Sequence, residues 1–190
     1  MNIRKVVAEL KNTDFKLVMD FGCGPDPVSA VLRQEGRKVI GVDVDEHGAG
    51  CAQKVLSDVR QVEMVAEFGE LAQEAGYRKP SLALFMDSLE HVPFEDALYL
   101  IANTKLFFTA IVAFIPEGSV GDNSWDSGPH KHKHHWTLQD VFHAFELSYT
   151  VVNYLPNYHG EGKGAFFVIW SADAYILAQI AERVLTLREV

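Results

Sequence analysis

The chain is poor in cysteine, carries fewer bases than acids, and has no long apolar run. Cys23 and Cys51 are its only cysteines, too few for a disulfide framework or a cysteine zinc site, and such a chain suits a reducing compartment, the cytoplasm. Lys and Arg number 17 against 26 Asp and Glu, a net charge of -9. That balance argues against duplex nucleic acid as a partner, because such binding rests on many phosphate contacts from a broad basic surface. No apolar stretch has the length that a membrane span needs, and the opening MNIRKVVAELKNTDFK reads as an amphipathic helix without the apolar core of a signal peptide. The Gly-Lys-Ser/Thr ending of a phosphate-binding loop is absent as well. What remains is 190 residues with 48% hydrophobic content, enough for one domain with a proper core but not for a large separate substrate domain.

The most informative stretch is LVMDFGCGPDPVSAVLRQEGRKVIGVDVDE, residues 17–46. Leu17, Val18 and Met19 form an apolar run that fits a strand buried on both faces, and turn residues follow from Asp20 to Pro25. Gly22 and Gly24 permit positive φ and let a ligand lie against the backbone where a β-carbon would block it. Pro27 suits the first turn of a helix, with Val28, Val31 and Leu32 on its apolar face and its free amides towards the ligand. Lys38 to Val42 is a second strand, and Asp43 ends it about twenty residues beyond the glycines, where a carboxylate accepts hydrogen bonds from ribose hydroxyls. A nicotinamide-binding Rossmann domain would want a further glycine inside the helix, and residues 27–35 contain none.

This stretch resembles the cofactor motif of class I S-adenosylmethionine-dependent methyltransferases, an acid, any residue, then Gly-x-Gly-x-Gly. Asp20, Gly22 and Gly24 match it, and Asp26 stands where the third glycine is expected. An acid there would need an unusual backbone conformation and would lie near the methionine carboxylate of the cofactor. Cys23 lies within the turn, where the family often has cysteine, and a packing role suits it better than nucleophilic chemistry. Val44, which follows the ribose acid, and Asp87, at the end of the fourth strand, are further expected cofactor contacts. Asp58, placed at the end of a brief third strand over Val55 to Ser57, is where the family commonly has an acid meeting the adenine amino group, and Val59 would add a backbone amide. Asp58 equally suits a helix N-cap. Asp45 is expected to cap a helix rather than bind ribose.

Beyond Asp58 the chain alternates helical and strand patterns with no linker or repeat. Helical spacing covers Arg60 to Ala75 with Gly76 as a stop, Ser81 to Met86 is a fourth strand, Phe94 to Asn103 a helix, and Leu106 to Ile115 a long fifth strand. Thr137 to Phe145 is helical, Leu147 to Pro156 and Ala165 to Ser171 pair as an antiparallel hairpin, and Asp173 to Leu187 closes the chain as a helix. The expectation is an α/β, Rossmann-like, doubly wound seven-stranded sheet, mostly parallel, with that C-terminal hairpin, in three α/β/α layers. Residues 1–15 would form the N-terminal helix, 16–115 the cofactor-binding core, 116–136 an active-site loop and 137–190 the C-terminal strands and helices.

Chemistry belongs at the carboxyl ends of the parallel strands. Asp87, Ser88, Leu89, Glu90 and His91 follow the fourth strand and resemble the acid-x-Leu-Glu-His turn of small-molecule O-methyltransferases. His91 is the natural general base, with Glu90 beside it. In some relatives, including ubiquinone-biosynthesis and small-RNA 3′-end 2′-O-methyltransferases, an acid-x-x-Glu-His motif holds a divalent metal. Asp87, Glu90 and His91 match that spacing, and His132, four residues before Trp136, matches the further histidine of the RNA-modifying relatives. His134 and His135 are equally available by spacing in HKHKHH, and a solvated histidine loop is the bland alternative. Thr137 reads as a helix cap with Trp136 packed beneath it. Trp125, Tyr158 and His159 are candidate pocket aromatics.

The resemblance implies S-adenosylmethionine as cofactor and O-methylation of a small molecule by a monomer or homodimer. Alternatives are a scaffold that has lost turnover, suggested by Asp26 and by the minimal substrate region, and a metal-dependent O-methyltransferase acting on RNA ends or a hydroxylated small molecule. The base N-methylation motif of an Asn or Asp, two prolines and an aromatic is missing after the fourth strand, which argues against DNA bases.

Overall fold

The structure is a computed structural model in which residues 3–62, 65–75, 80–117, 131–156, 158 and 164–185 are described. Seven strands form a single sheet: β1 (Leu17–Phe21), β2 (Lys38–Asp43), β3 (Asp58–Gln61), β4 (Ser81–Met86), β5 (Ala110–Pro116), β6 (Thr150–Leu155) and β7 (Ala165–Ser171). Their spatial order is β3-β2-β1-β4-β5-β7-β6. The first five run parallel, β7 runs antiparallel to β5, and β6 returns antiparallel to β7, so six strands share one direction.

Period-two alternation divides each central strand between two cores. Leu17, Met19, Phe21, Phe85, Ile111 and Ala113 face α3 (Val65–Ala75), α4 (Phe94–Phe107) and α5 (Leu138–Phe145). Val18, Leu82, Leu84, Val112 and Phe114 face α1 (Ile3–Glu9) and α6 (Ala174–Leu185), whose Val6, Val7, Ile180 and Val184 are buried. α2 (Glu46–Ala52) packs on β2 and β3. Strand order reverses between β1 and β4, and at such a switch point the two adjoining connections leave on opposite faces and open a crevice at the carboxyl edge. No described helix is long and apolar enough to cross a membrane.

Several boundaries differ from the sequence expectation. The segment after Pro27 is a five-residue 3-10 turn, Val28–Leu32, rather than an α-helix. Residues 53–56 remain tied to α2 through Val55 and Leu56 amides donating to the Ala52 carbonyl at 3.0 and 2.8 Å. The third strand therefore begins at Asp58 instead of ending there, in register with Ile40. The fifth strand begins at Ala110, not Leu106, because α4 continues to Phe107 with Leu106 facing solvent. Nothing in the apolar run LFFTAIVAF marks that break. Residues 147–149 form a 3-10 turn ahead of β6, and α3 begins at Val65 rather than Arg60. Gly76 lies outside the described residues.

Arg37, nearly buried ahead of β2, fastens the N-terminal segment to the sheet. Its guanidinium donates to the carbonyls of Phe15 at 2.9 Å, Lys11 at 3.2 Å, Leu10 at 3.4 Å and Thr13. Replacing it with alanine strands these buried acceptors, so Arg37→Ala should cost about 2–3 kcal/mol. Urea denaturation would show this as a lower midpoint, whereas an unchanged midpoint would mean that water replaces the guanidinium without cost.

Candidate active site

A cavity of about 610 Å³ opens where β1, β2 and β4 end. Residues 20–26 form its floor, Asp43 to Asp45 one side and Phe85 to Leu89 the other, with Phe68 of α3 and His91, Pro93, Asp96 and Leu100 closing it. The turn after β1 is held by the amides of Gly22 and Cys23, both donating to the Val42 carbonyl, at 2.8 and 3.1 Å. Gly22 has φ +69°, and a β-carbon there would lie 2.5 Å from that of Ser88, so the β1 and β4 turns meet only over a glycine. Gly24 has φ +60° and a β-carbon there would meet nothing within 4 Å, which leaves the space beside its backbone for a ligand.

Asp43, 7% exposed, locks this arrangement. Its Oδ2 accepts from the Gly24 amide at 2.7 Å and its Oδ1 from the Asp45 amide at 2.9 Å. Each carboxylate oxygen retains a lone pair for a ribose hydroxyl. Asp45 caps α2, as expected, through the Gly48 amide at 2.7 Å. Val44 is partly exposed and lines the cavity. Burial drives the Cys23 thiol far above its ordinary range, aided by Asp20 and Asp43, so it packs against the sheet and does not act as a nucleophile.

Asp20 is 1% exposed and lines the cavity. Burial raises its pKa to about 6, with Ser29 opposing the shift. Neither carboxylate oxygen has a partner of hydrogen-bonding geometry among the described residues. A buried acid so placed suits a cationic ligand. Asp26 does not take the unusual backbone expected of it: among described non-glycine residues only Asp87 and Glu146 have positive φ. Its side chain turns outward, 78% exposed, and pairs with Arg4 of α1.

The adenine-side expectation is corrected for Asp58 and Val59. Because β3 starts at Asp58, Asp58 and Val59 lie level with Ile40 and Gly41, in the middle of β2 and back from the cavity, and Asp58 pairs with Lys38 at 2.6 Å and Arg60 at 3.5 Å. These cations hold its carboxyl below the usual range against the cost of burial. The aromatic on that side of the cavity is Phe68, which sequence periodicity registers only as a core position of a helix.

After β4 the chain makes a strained turn. Asp87 has φ +54°, and its amide donates to the Phe114 carbonyl at 3.1 Å. It lines the cavity, and loss of hydration raises its carboxyl to about 6. Glu90 is 1% exposed. Burial, then repulsion from Asp87, push its carboxyl well up. Glu90 Oε1 lies 3.6 Å from His91 Nε2, and Oε2 accepts no hydrogen bond among the described residues.

The histidine-rich segment folds back over this turn, the Lys133 and His134 amides donating to the Glu90 carbonyl at 2.8 and 3.4 Å. That brings the His132 ring to 5.0 Å from His91. Candidate ligand atoms of Glu90, His91 and His132 all lie within 4.8 Å of one another. Asp87, the fourth expected ligand, is outside this cluster. His134 is placed elsewhere: it stacks on Phe94 with centroids 4.5 Å apart and lies 3.3 Å from Asp140 Oδ2. Asp140 also completes the capping box with Thr137, above a fully buried Trp136. His135 is exposed. Tyr158 packs on Phe114 at 4.7 Å, while Trp125 and His159 lie outside the described residues. Ile3, Asp96 and Lys133 also line the cavity. No motif singles them out.

A family model described as a methyltransferase domain matches residues 2–146. No curated protein matches at the sequence level. Among solved structures, the N-terminal domain of EvdMO1 with S-adenosylhomocysteine (SAH) bound is similar at 14% identity and TM-score 0.63, over 89% of this chain and 80% of that one. Magnesium protoporphyrin IX methyltransferase from Synechocystis with bound S-adenosylmethionine is similar at 18% identity and TM-score 0.59, over 90% and 76%. An S-adenosylmethionine-dependent methyltransferase from Anabaena variabilis is similar at 16% identity and TM-score 0.60, over 89% and 84%. At these identities the likeness is one of fold, and the family match carries the assignment. The glycine turn, its buried acids and the sheet around them thus place the chain in the class I S-adenosylmethionine-dependent methyltransferase family, a family of enzymes.

Proposed function

We propose that the enzyme methylates a hydroxyl oxygen of a small molecule, with His91 as the proton acceptor. The supporting observation is the pairing of cavity-lining His91 with buried Glu90, beside a glycine turn that leaves a ligand-sized space. A volume near 610 Å³ lies in the range of small-molecule pockets. In this reading Gly22 and Gly24 shape the floor, Cys23 packs behind it, Asp43 takes the ribose hydroxyls, Val44 borders the adenosine and Asp20 receives the ammonium of the amino-acid end. Bound S-adenosylmethionine would supply the activated methyl group. His91 takes the proton lost from the acceptor hydroxyl, and the carboxylate of Glu90 stabilises the resulting imidazolium. The Asp87 turn and α4 hold the acceptor against water. Two unpaired cysteines suit a cytoplasmic enzyme, working as a monomer or homodimer.

The metal-dependent reading has its own observation, the cluster of Glu90, His91 and His132. Two imidazoles and a carboxylate suit a divalent transition metal, and a bound metal would acidify an acceptor hydroxyl. His91 cannot be base and ligand at once. The scaffold reading loses the motive drawn from Asp26, which needs no strained backbone, and keeps only the one drawn from the minimal substrate region.

Turnover of hydroxylated small molecules by the purified protein, with and without a chelator, separates these readings. His91→Ala should lower it about 100-fold or more, with SAH affinity held within about twofold. Activity that survives a chelator supports His91 as base; activity abolished by the chelator and restored by Mn²⁺ or Mg²⁺ supports the metal site.

Asp20 predicts a pH dependence of binding. Its carboxylate attracts the ammonium and its protonated form does not, so SAH affinity should be present at pH 7.5 and fall as pH drops through about 6. Asp20→Asn should weaken binding at pH 7.5 and flatten that profile, as followed by calorimetry. An equally steep profile in the variant would assign the titration to another group.

A further inference from the structure

The chain is acidic as a whole, yet three of its bases meet around a groove of about 750 Å³ at the amino end of β2, away from the edge that carries the cofactor cavity. Arg33, Arg37 and Lys38 line this groove with Gln34, Gly36 and Ser57, and no acid does among the described residues. A tight turn after the 3-10 segment gathers them. The Arg37 amide donates to the Gln34 carbonyl at 3.1 Å, and Gly36 makes the bend at φ +77°, where a β-carbon would meet nothing within 4 Å. Each base is then held from another part of the chain. Arg33 Nη1 donates to the Val55 carbonyl at 2.5 Å, and its Nε and Nη2 make no hydrogen bond among the described residues. Lys38 Nζ lies 2.6 Å from Asp58 on β3, which occupies one of the three donors of the ammonium. Arg37 carries its charge nearly buried among neutral carbonyls, with burial opposing that charge and Asp14 favouring it. Even against Asp58 the groove keeps a surplus of positive charge, on side chains already fixed in place, so an anion would pay little to order them.

We propose that this groove is a second binding site, which takes the phosphoryl group of a small molecule. The free edge of the Arg33 fork matches two phosphate oxygens, Lys38 adds a point charge, and the Ser57 hydroxyl and Gln34 amide offer neutral donors beside them. A lone phosphate would leave most of the groove empty, so there is room for the body of a phosphorylated metabolite. The site stands about 20 Å from the cofactor edge, the length of the six-residue β2, and does not depend on how the methyl acceptor is bound.

Inorganic pyrophosphate, titrated by calorimetry into the full chain in metal-free buffer of low salt, should bind saturably at one site. Arg33→Ala should weaken it about fivefold or more, with Arg33→Lys intermediate, because a point charge replaces the fork. Asp58→Asn, which removes the acid beside Lys38, should tighten it about two- to threefold. Saturating SAH should change the affinity by less than about twofold, and so should Arg183→Ala, an equal loss of charge on α6. Absence of saturable binding, equal weakening by Arg33→Ala and Arg183→Ala, or displacement of pyrophosphate by SAH overturns the proposal, the last by placing the anion in the cofactor cavity. A protein that binds pyrophosphate but not SAH would keep this site while the cofactor reading failed.

Discussion

A buried carboxylate that takes two backbone amides, Gly24 on one oxygen and Asp45 on the other, joins the turn after β1 to the turn after β2. Asp43 is the last residue of β2, and its own carbonyl accepts the Val62 amide at 3.0 Å beyond β3. Three strand ends are thus referred to one residue. These bonds hold the glycine turn in its left-handed geometry, Asp45 is set to cap α2, and a β-carbon at Gly24 would meet nothing within 4 Å. Binding then costs little ordering of the floor. An acid near the surface would bridge these amides less firmly, because water would compete for its oxygens.

The two ends of the cavity differ in chemistry. Towards β1 and β2 the acids either hold the backbone or await a cation. Towards β4, dehydration raises the Asp87 carboxyl, and burial, then repulsion from Asp87, raises that of Glu90, beside two imidazoles. Backbone strain at Asp87 fits a position where the chain must turn sharply to present Glu90 and His91 on one side. The segment after the fifth strand contributes through its backbone, since amides from Lys133 and His134 reach the Glu90 carbonyl and deliver His132 to the same spot. Fold and candidate chemistry are therefore coupled through main-chain contacts between segments about forty residues apart in sequence.

Where local composition determines structure, the sequence is easily read. β2 is a β-branched run closed by an acid and agrees with the structure, and β1 starts at Leu17 as expected but runs on to Phe21, through Asp20, which the composition suggests as turn. Thr137 and Asp140 announce their helix through capping chemistry. The expectation fails where a tertiary register decides. Nothing between Val55 and Gln61 says which residue pairs with Ile40, and a shift of three residues carries Asp58 from the ligand edge back to the middle of the neighbouring strand. The alternation in HKHKHH cannot tell His132 from His134, because the Glu90 carbonyl that anchors the loop is remote in sequence. Phe68 reads as a core residue of a helix whether it faces protein or cavity. Arg4 reads as any exposed base, and its pairing with Asp26 joins positions 22 residues apart.

The central claim is that a site organised by Asp43 binds S-adenosylmethionine. Calorimetric titration of SAH into the wild-type protein and Asp43→Ala tests it most directly. Saturable one-to-one binding, weakened in the variant about 100-fold as expected for lost charge-assisted hydrogen bonds and a loosened turn, is the predicted result. Binding that is unchanged in a folded Asp43→Ala, or absent from the folded wild type, would contradict it.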